Sequence, residues 1–134
     1  MKQIKVLSLA TCLLLFVLLL TSCSSSTIET SVGNLSIDRV EILEEFANQR
    51  PKNASDRFLM VYFGEIEDLT SEDFTEAAQD VVVVDKQGNE YSRVISGIHM
   101  QEFFLAFITP ISTTDLSLHW PDNSPIPLEL AEQQ

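Results

Sequence analysis

Cysteine is scarce in this chain of 134 residues: there are two, Cys12 and Cys23. Cys12 lies inside an apolar N-terminal run that reads as a removable leader, so Cys23 stands alone after it. That excludes an intramolecular disulfide in the remaining domain. Basic residues are also few, with eight Lys and Arg against 20 Asp and Glu. Two of the lysines, Lys2 and Lys5, precede Cys23, so from Cys23 onward six basic side chains face 20 acidic ones, a formal charge of −14. Such a surface repels phosphate backbones and argues against nucleic acid as a partner. It repels anionic head groups too, so any membrane attachment has to come from something other than a basic patch. No internal repeat occurs at the periods that mark solenoids or propellers, and the length suits one domain.

What the sequence does have begins at its N-terminus. Lys2 and Lys5 form a small positive region, and Val6–Leu20 is a mainly apolar run of 15 residues. A spanning helix needs about 20, so the pattern is that of a secretory signal rather than a permanent transmembrane segment. Thr21 and Ser22 supply small residues before Cys23. Leu20-Thr21-Ser22-Cys23 resembles the lipobox of bacterial lipoproteins. That resemblance implies a signal peptide over residues 1–22. It also implies a diacylglyceryl group on the thiol of Cys23, cleavage just before it, and further acylation (palmitate) of the new N-terminus. Two or three acyl chains anchor stably where one is marginal. The implied location is the extracytoplasmic face of the cell membrane. Because Ser24 and not Asp follows Cys23, it is the outer membrane if the host has one. Residues 23–33 read as a lipidated, Ser-rich tether, long enough to hold a domain roughly 30 Å from the lipid.

The domain proper is expected over residues 34–131. Leu35 and Ile37 are in phase, and so are Val40 and Ile42, but the two pairs are out of phase with each other. A β-bulge near Asp38-Arg39 is expected to absorb the shift. Asn48–Ser55 is polar, contains Pro51 and reads as a connection. Arg57–Ile66 is apolar on both faces, the pattern of a central strand. Thr70-Ser71-Glu72-Asp73 matches a helix-capping box ahead of one or two helical turns. Val81–Val84 and Glu90–Ile95 flank Asp85-Lys86-Gln87-Gly88-Asn89, predicting a hairpin with Gly88 at positive φ. Ser96-Gly97 reads as a break, Phe103–Ile108 as a buried strand, and Leu116, Leu118 and Trp120 as the inner face of an alternating one. A last edge strand over Ile126–Leu130 is expected to turn Leu128 and Leu130 inward. Six or seven short strands with at most one short helix predict a mainly β protein, an antiparallel β-sandwich.

Val81-Val-Val-Val-Asp-Lys-Gln-Gly-Asn-Glu-Tyr91 resembles a hairpin of the small telokin-like, immunoglobulin-like domains carried by bacterial lipoproteins, and Phe104-Leu105-Ala106-Phe107-Ile108-Thr109-Pro110 resembles a later strand of theirs. The resemblance spans roughly residues 33–131 and departs from the family at Gly64-Glu65. It implies an immunoglobulin-like β-sandwich outside the cytoplasm and supplies no catalytic residues.

Candidate sites are thin. Glu65, Glu67, Asp68, Glu72, Asp73 and Glu76 offer oxygens for calcium, but the spacing of a dedicated calcium loop is missing. His99, Met100 and His119 are copper-type donors; the thiol such a site would need is Cys23, which the lipobox resemblance commits to acylation. Ser, His and Asp are present without a motif that assembles them. Trp120 and Asp122 lie in the Trp120-Pro121-Asp122-Asn123 stretch, where an exposed aromatic would serve as a contact, although a Trp ending an alternating strand more often plugs the core. The sequence therefore points to a non-enzymatic binding module without a cofactor or metal, meeting the membrane through Cys23 and an envelope protein or ligand through its surface. The rival readings are an accessory subunit of an envelope complex and a protein binding calcium or copper.

Overall fold

The computed structural model describes residues 27–130; the expected signal peptide and Cys23 lie outside them. The described chain is mainly β, with antiparallel pairing throughout and one short helix. Thr27–Thr30 (β1) and Gly33–Ser36 (β2) pair as a hairpin, Thr27 opposite Ser36. The remaining strands are Arg39–Leu43 (β3), Asp56–Gly64 (β4), Val82–Val84 (β5), Glu90–His99 (β6), Glu102–Pro110 (β7), Ser117–His119 (β8) and Ile126–Pro127 (β9). They form one sheet in the order β3-β4-β7-β6-β5-β8-β9. Helix α1, Ser71–Ala77, connects β4 to β5. Among the described residues no helix is long and apolar enough to cross a membrane.

The sheet curls because β6 divides its partners. Glu90–Ser92 pair with β5, and Arg93–His99 pair with β7. The register slips between Arg93 and Ile95, and such a bulge sharpens the local twist. Leu59, Val61 and Phe63 of β4 and Phe103, Leu105 and Phe107 of β7 thus share one core with Val83 of β5 and Leu118 of β8. Phe74, fully buried on α1, closes this core against Phe63 and Phe103, at ring separations of 5.6 and 5.0 Å. The helix starts where the capping box places it: Thr70 accepts from the Asp73 amide at 3.1 Å. The other face of β4 and β7 carries Phe58, Met60, Tyr62, Phe104 and Ala106 and is covered by Phe46. The turn bearing Phe46 is held by reciprocal backbone bonds to Gln49, at 3.0 and 2.9 Å.

Four expectations are corrected. Residues 27–33 are not tether: β1 is a strand, and Ile28 is fully buried in the main core. The folded domain therefore already includes Thr27 and does not start at residue 34. The phase shift between Ile37 and Val40 is not absorbed by a bulge, because β2 and β3 belong to different sheets. Ser96-Gly97 does not break the chain: β6 runs on to His99, with Gly97 at φ +150°, a backbone setting only glycine takes easily. The last strand stops at Pro127, so Leu128 is buried while Leu130 is exposed. Of the hairpin expected between Val81–Val84 and Glu90–Ile95, Val82–Val84 pair with Glu90–Ser92, with Gly88 at φ +88°, while Arg93 and Ile95 pair with β7 instead.

Candidate functional site

Trp120 is not a surface contact. It is 4% exposed, and its ring meets Phe63 edge-on at 6.0 Å. The alternation that buries Leu116 and Leu118 carries Trp120 onto the same inner face. Asp122 is exposed at φ +66° in the following turn. That turn works as a clasp, because Asn123 accepts from the Glu29 amide and donates to the Glu29 carbonyl, both at 2.9 Å. Through these two bonds it fastens β1 to the domain as a paired strand would.

The copper-type donors are not brought together. His99 packs against Phe46 and Phe104, with ring separations of 5.2 and 6.5 Å. His119 lies 3.0 Å from the Ser117 hydroxyl. His119 is opposite Val82 and Val82 opposite Ser92, so the two imidazoles are separated by seven residues of β6, about 20 Å. Among the described residues no three His, Cys, Asp or Glu side chains are placed to hold a metal ion. Of the acidic segment, Glu72 and Asp73 sit in the first turn of α1, where they complement the helix dipole. An open groove of about 400 Å³ runs beside α1 and is lined by Thr75, Glu76 and Arg93. Its one cation is already engaged: Arg93 donates to the Ala78 carbonyl at 3.1 Å and to the Ser96 hydroxyl at 3.1 Å. No basic residue sits in the helix's own last turn, so Arg93 satisfies C-terminal carbonyls from the neighbouring strand.

The cluster that the sequence did not disclose is built on Arg39. Register places Arg39 opposite Tyr62, and the guanidinium lies 3.9 Å above that ring. It reaches Glu102 at 2.6 Å, Glu41 at 3.1 Å and Asp38 at 3.4 Å. Hydrogen bonding to Glu102, chiefly, holds its pKa above the already high arginine value. Burial raises the Tyr62 hydroxyl above the ordinary tyrosine range. Three carboxylates thus surround one cation, and the cluster keeps an excess negative charge. Glu102 is 63 residues from Arg39 along the chain, which is why no local spacing announced the group. Beside it, Met100 and Gln101 form the two-residue turn between β6 and β7, both at positive φ. Met100 is 85% exposed and Ile98 is 48% exposed.

No family model, curated protein or solved structure matches the chain.

Proposed function

We propose that the protein is a bacterial lipoprotein, anchored through acyl chains on Cys23 to the extracytoplasmic face of the membrane, and that its folded part is an immunoglobulin-like β-sandwich acting as an interaction module. The anchor rests on Leu20-Thr21-Ser22-Cys23 at the end of an apolar run. The observation that carries the reading is the position of β1: an ordered strand begins at Thr27, four residues after Cys23. A permanent spanning helix would need about 20 apolar residues, and the run before Cys23 falls short of that. The sandwich description is supported by the way the two halves of the sheet share one core through β6.

The module reading is supported by the surface. Val94, Ile98 and Met100 are exposed on or beside β6, and residues 95–99 pair on the β7 side alone. α1 packs beside Arg93 and Ser96, so the part of this strand edge left for a partner is its end, Gly97–His99. The same feature favours an accessory subunit of an envelope complex as the second reading. Replacing Cys23 is the direct test of the anchor. Cys23→Ala is expected to move the protein from the membrane fraction to the soluble extracytoplasmic fraction. A variant that sediments with membranes as the parent does would overturn the lipid anchor. Crosslinking of the native protein in cells, followed by identification of what it captures, tests the module.

A further inference from the structure

We infer that the Met100–Gln101 turn is a lipid-facing tip, seated on the zwitterionic surface of the bilayer to which Cys23 is attached. The inference rests on the anchor proposed above and adds an orientation to it.

The argument runs from chain length to topology. Three residues, Ser24, Ser25 and Ser26, separate Cys23 from Thr27. Whatever their conformation, they let Cys23 lie no more than roughly 14 Å from Thr27. The domain thus cannot swing freely on a long tether, and the region around Thr27 has to stay near the lipid. Thr27 is opposite Ser36, and two residues later the Asp38 amide donates to the Tyr62 carbonyl at 2.7 Å. That bond fixes which end of the large sheet lies near the anchor. Arg39 is opposite Tyr62, Gly64 opposite Phe103, and His99 opposite Glu102. The start of β3, the end of β4, the start of β7 and the end of β6 therefore share that end, and the Arg39–Glu102 ion pair ties them together. The turn closing β6 onto β7 is Met100–Gln101.

The residues at this tip suit the placement. A two-residue hairpin turn with both positions at positive φ favours Asn-Gly or similar pairs. Here one position is methionine, 85% exposed, with Ile98 half exposed on the strand leading to it. Apolar side chains on a turn apex are poorly placed for a core and well placed to enter a head-group layer. The excess negative charge of the neighbouring Arg39 cluster and of Glu65 and Glu67 selects zwitterionic over anionic lipid. The turn at the other end of β6, Asp85–Asn89, is charged and polar. Ten residues of β6 separate the two turns, about 30 Å of strand.

The test uses the full, natively acylated chain reconstituted into phosphatidylcholine vesicles that carry a shallow nitroxide-labelled lipid. With Cys23 acylated, an introduced thiol is the only free one for a fluorophore. A probe on Met100→Cys is expected to lose emission to the nitroxide, while one on Gln87→Cys keeps it. Ile98→Cys gives an independent reading from the adjoining strand and is expected to be quenched as well. Co-flotation with the vesicles is measured on each sample. Quenching at Met100→Cys and Ile98→Cys with Gln87→Cys spared supports the orientation. A floating protein with equal quenching at both ends, or with none at Met100→Cys, overturns it and leaves the anchor standing. Protein that fails to float overturns the anchor and the orientation with it.

Discussion

Asp85 is 8% exposed and accepts four hydrogen bonds. The donors are the Gln87 and Asn89 amides, the Asn89 side chain and the Tyr91 hydroxyl, at 2.9, 2.9, 3.0 and 3.0 Å. This is the Asx-type device that lets an aspartate stand in for backbone in a turn. The Asn89 side chain, then the other donors, hold the Asp85 carboxyl below its ordinary range, against the opposing effect of burial. A carboxyl whose folded value is depressed contributes stability above its unfolded pKa, near 3.9 for Asp. It loses that contribution as the pH falls through the lower folded value. Asp85→Asn is therefore expected to lower the melting temperature by several degrees at pH 7. The difference from the parent should shrink as the pH drops below about 4. Circular dichroism melts across this range check it; a gap that does not change with pH would show the carboxylate charge to be immaterial. The Asp-x-x-Gly-Asn turn was legible in the sequence, because all its donors lie within six residues. The Arg39 cluster was not, because its strongest partner arrives from another strand.

At the scale of elements, the strands rich in valine, phenylalanine and leucine announced themselves. β4, β5, β7 and β8 lie where the apolar patterns put them, and the N-cap at Thr70 matches its motif. β1 was missed for a physical reason: over Thr27–Thr30 it offers one large apolar anchor, Ile28, amid Thr and Glu. What makes it a strand is tertiary, the burial of Ile28 and the Asn123 clasp. Ile28→Ala thus discriminates sharply between strand and tether. Loss of a fully buried isoleucine is expected to cost about 2–5 kcal/mol, a large share of the about 5–15 kcal/mol of a typical domain. Urea unfolding measures this, and a cost near zero would return residues 27–33 to the tether. The continuation of β6 past Ser96 escaped notice because Ser-Gly is a breaker signal locally. It yields here to pairing with Leu105 and Phe104 on β7.

For the whole molecule, charge and attachment form one problem. A domain that carries −14 from Cys23 onward gains nothing from an anionic surface, so under the proposed anchor Cys23→Ala leaves no electrostatic grip to mask the result. The two halves of the sheet meet through a single strand, and that has a bearing on how the fold comes apart. If β6 leaves, β7 keeps only β4 and β5 keeps only β8, and the strand that joins the two halves is gone. Opening is therefore expected to be all-or-none rather than by separate foldons. Amide hydrogen exchange is the check. The slowest amides of β5 and β7 should report one common opening free energy and respond equally to urea, whereas two well-separated values would divide the molecule at the bulge between Arg93 and Ile95.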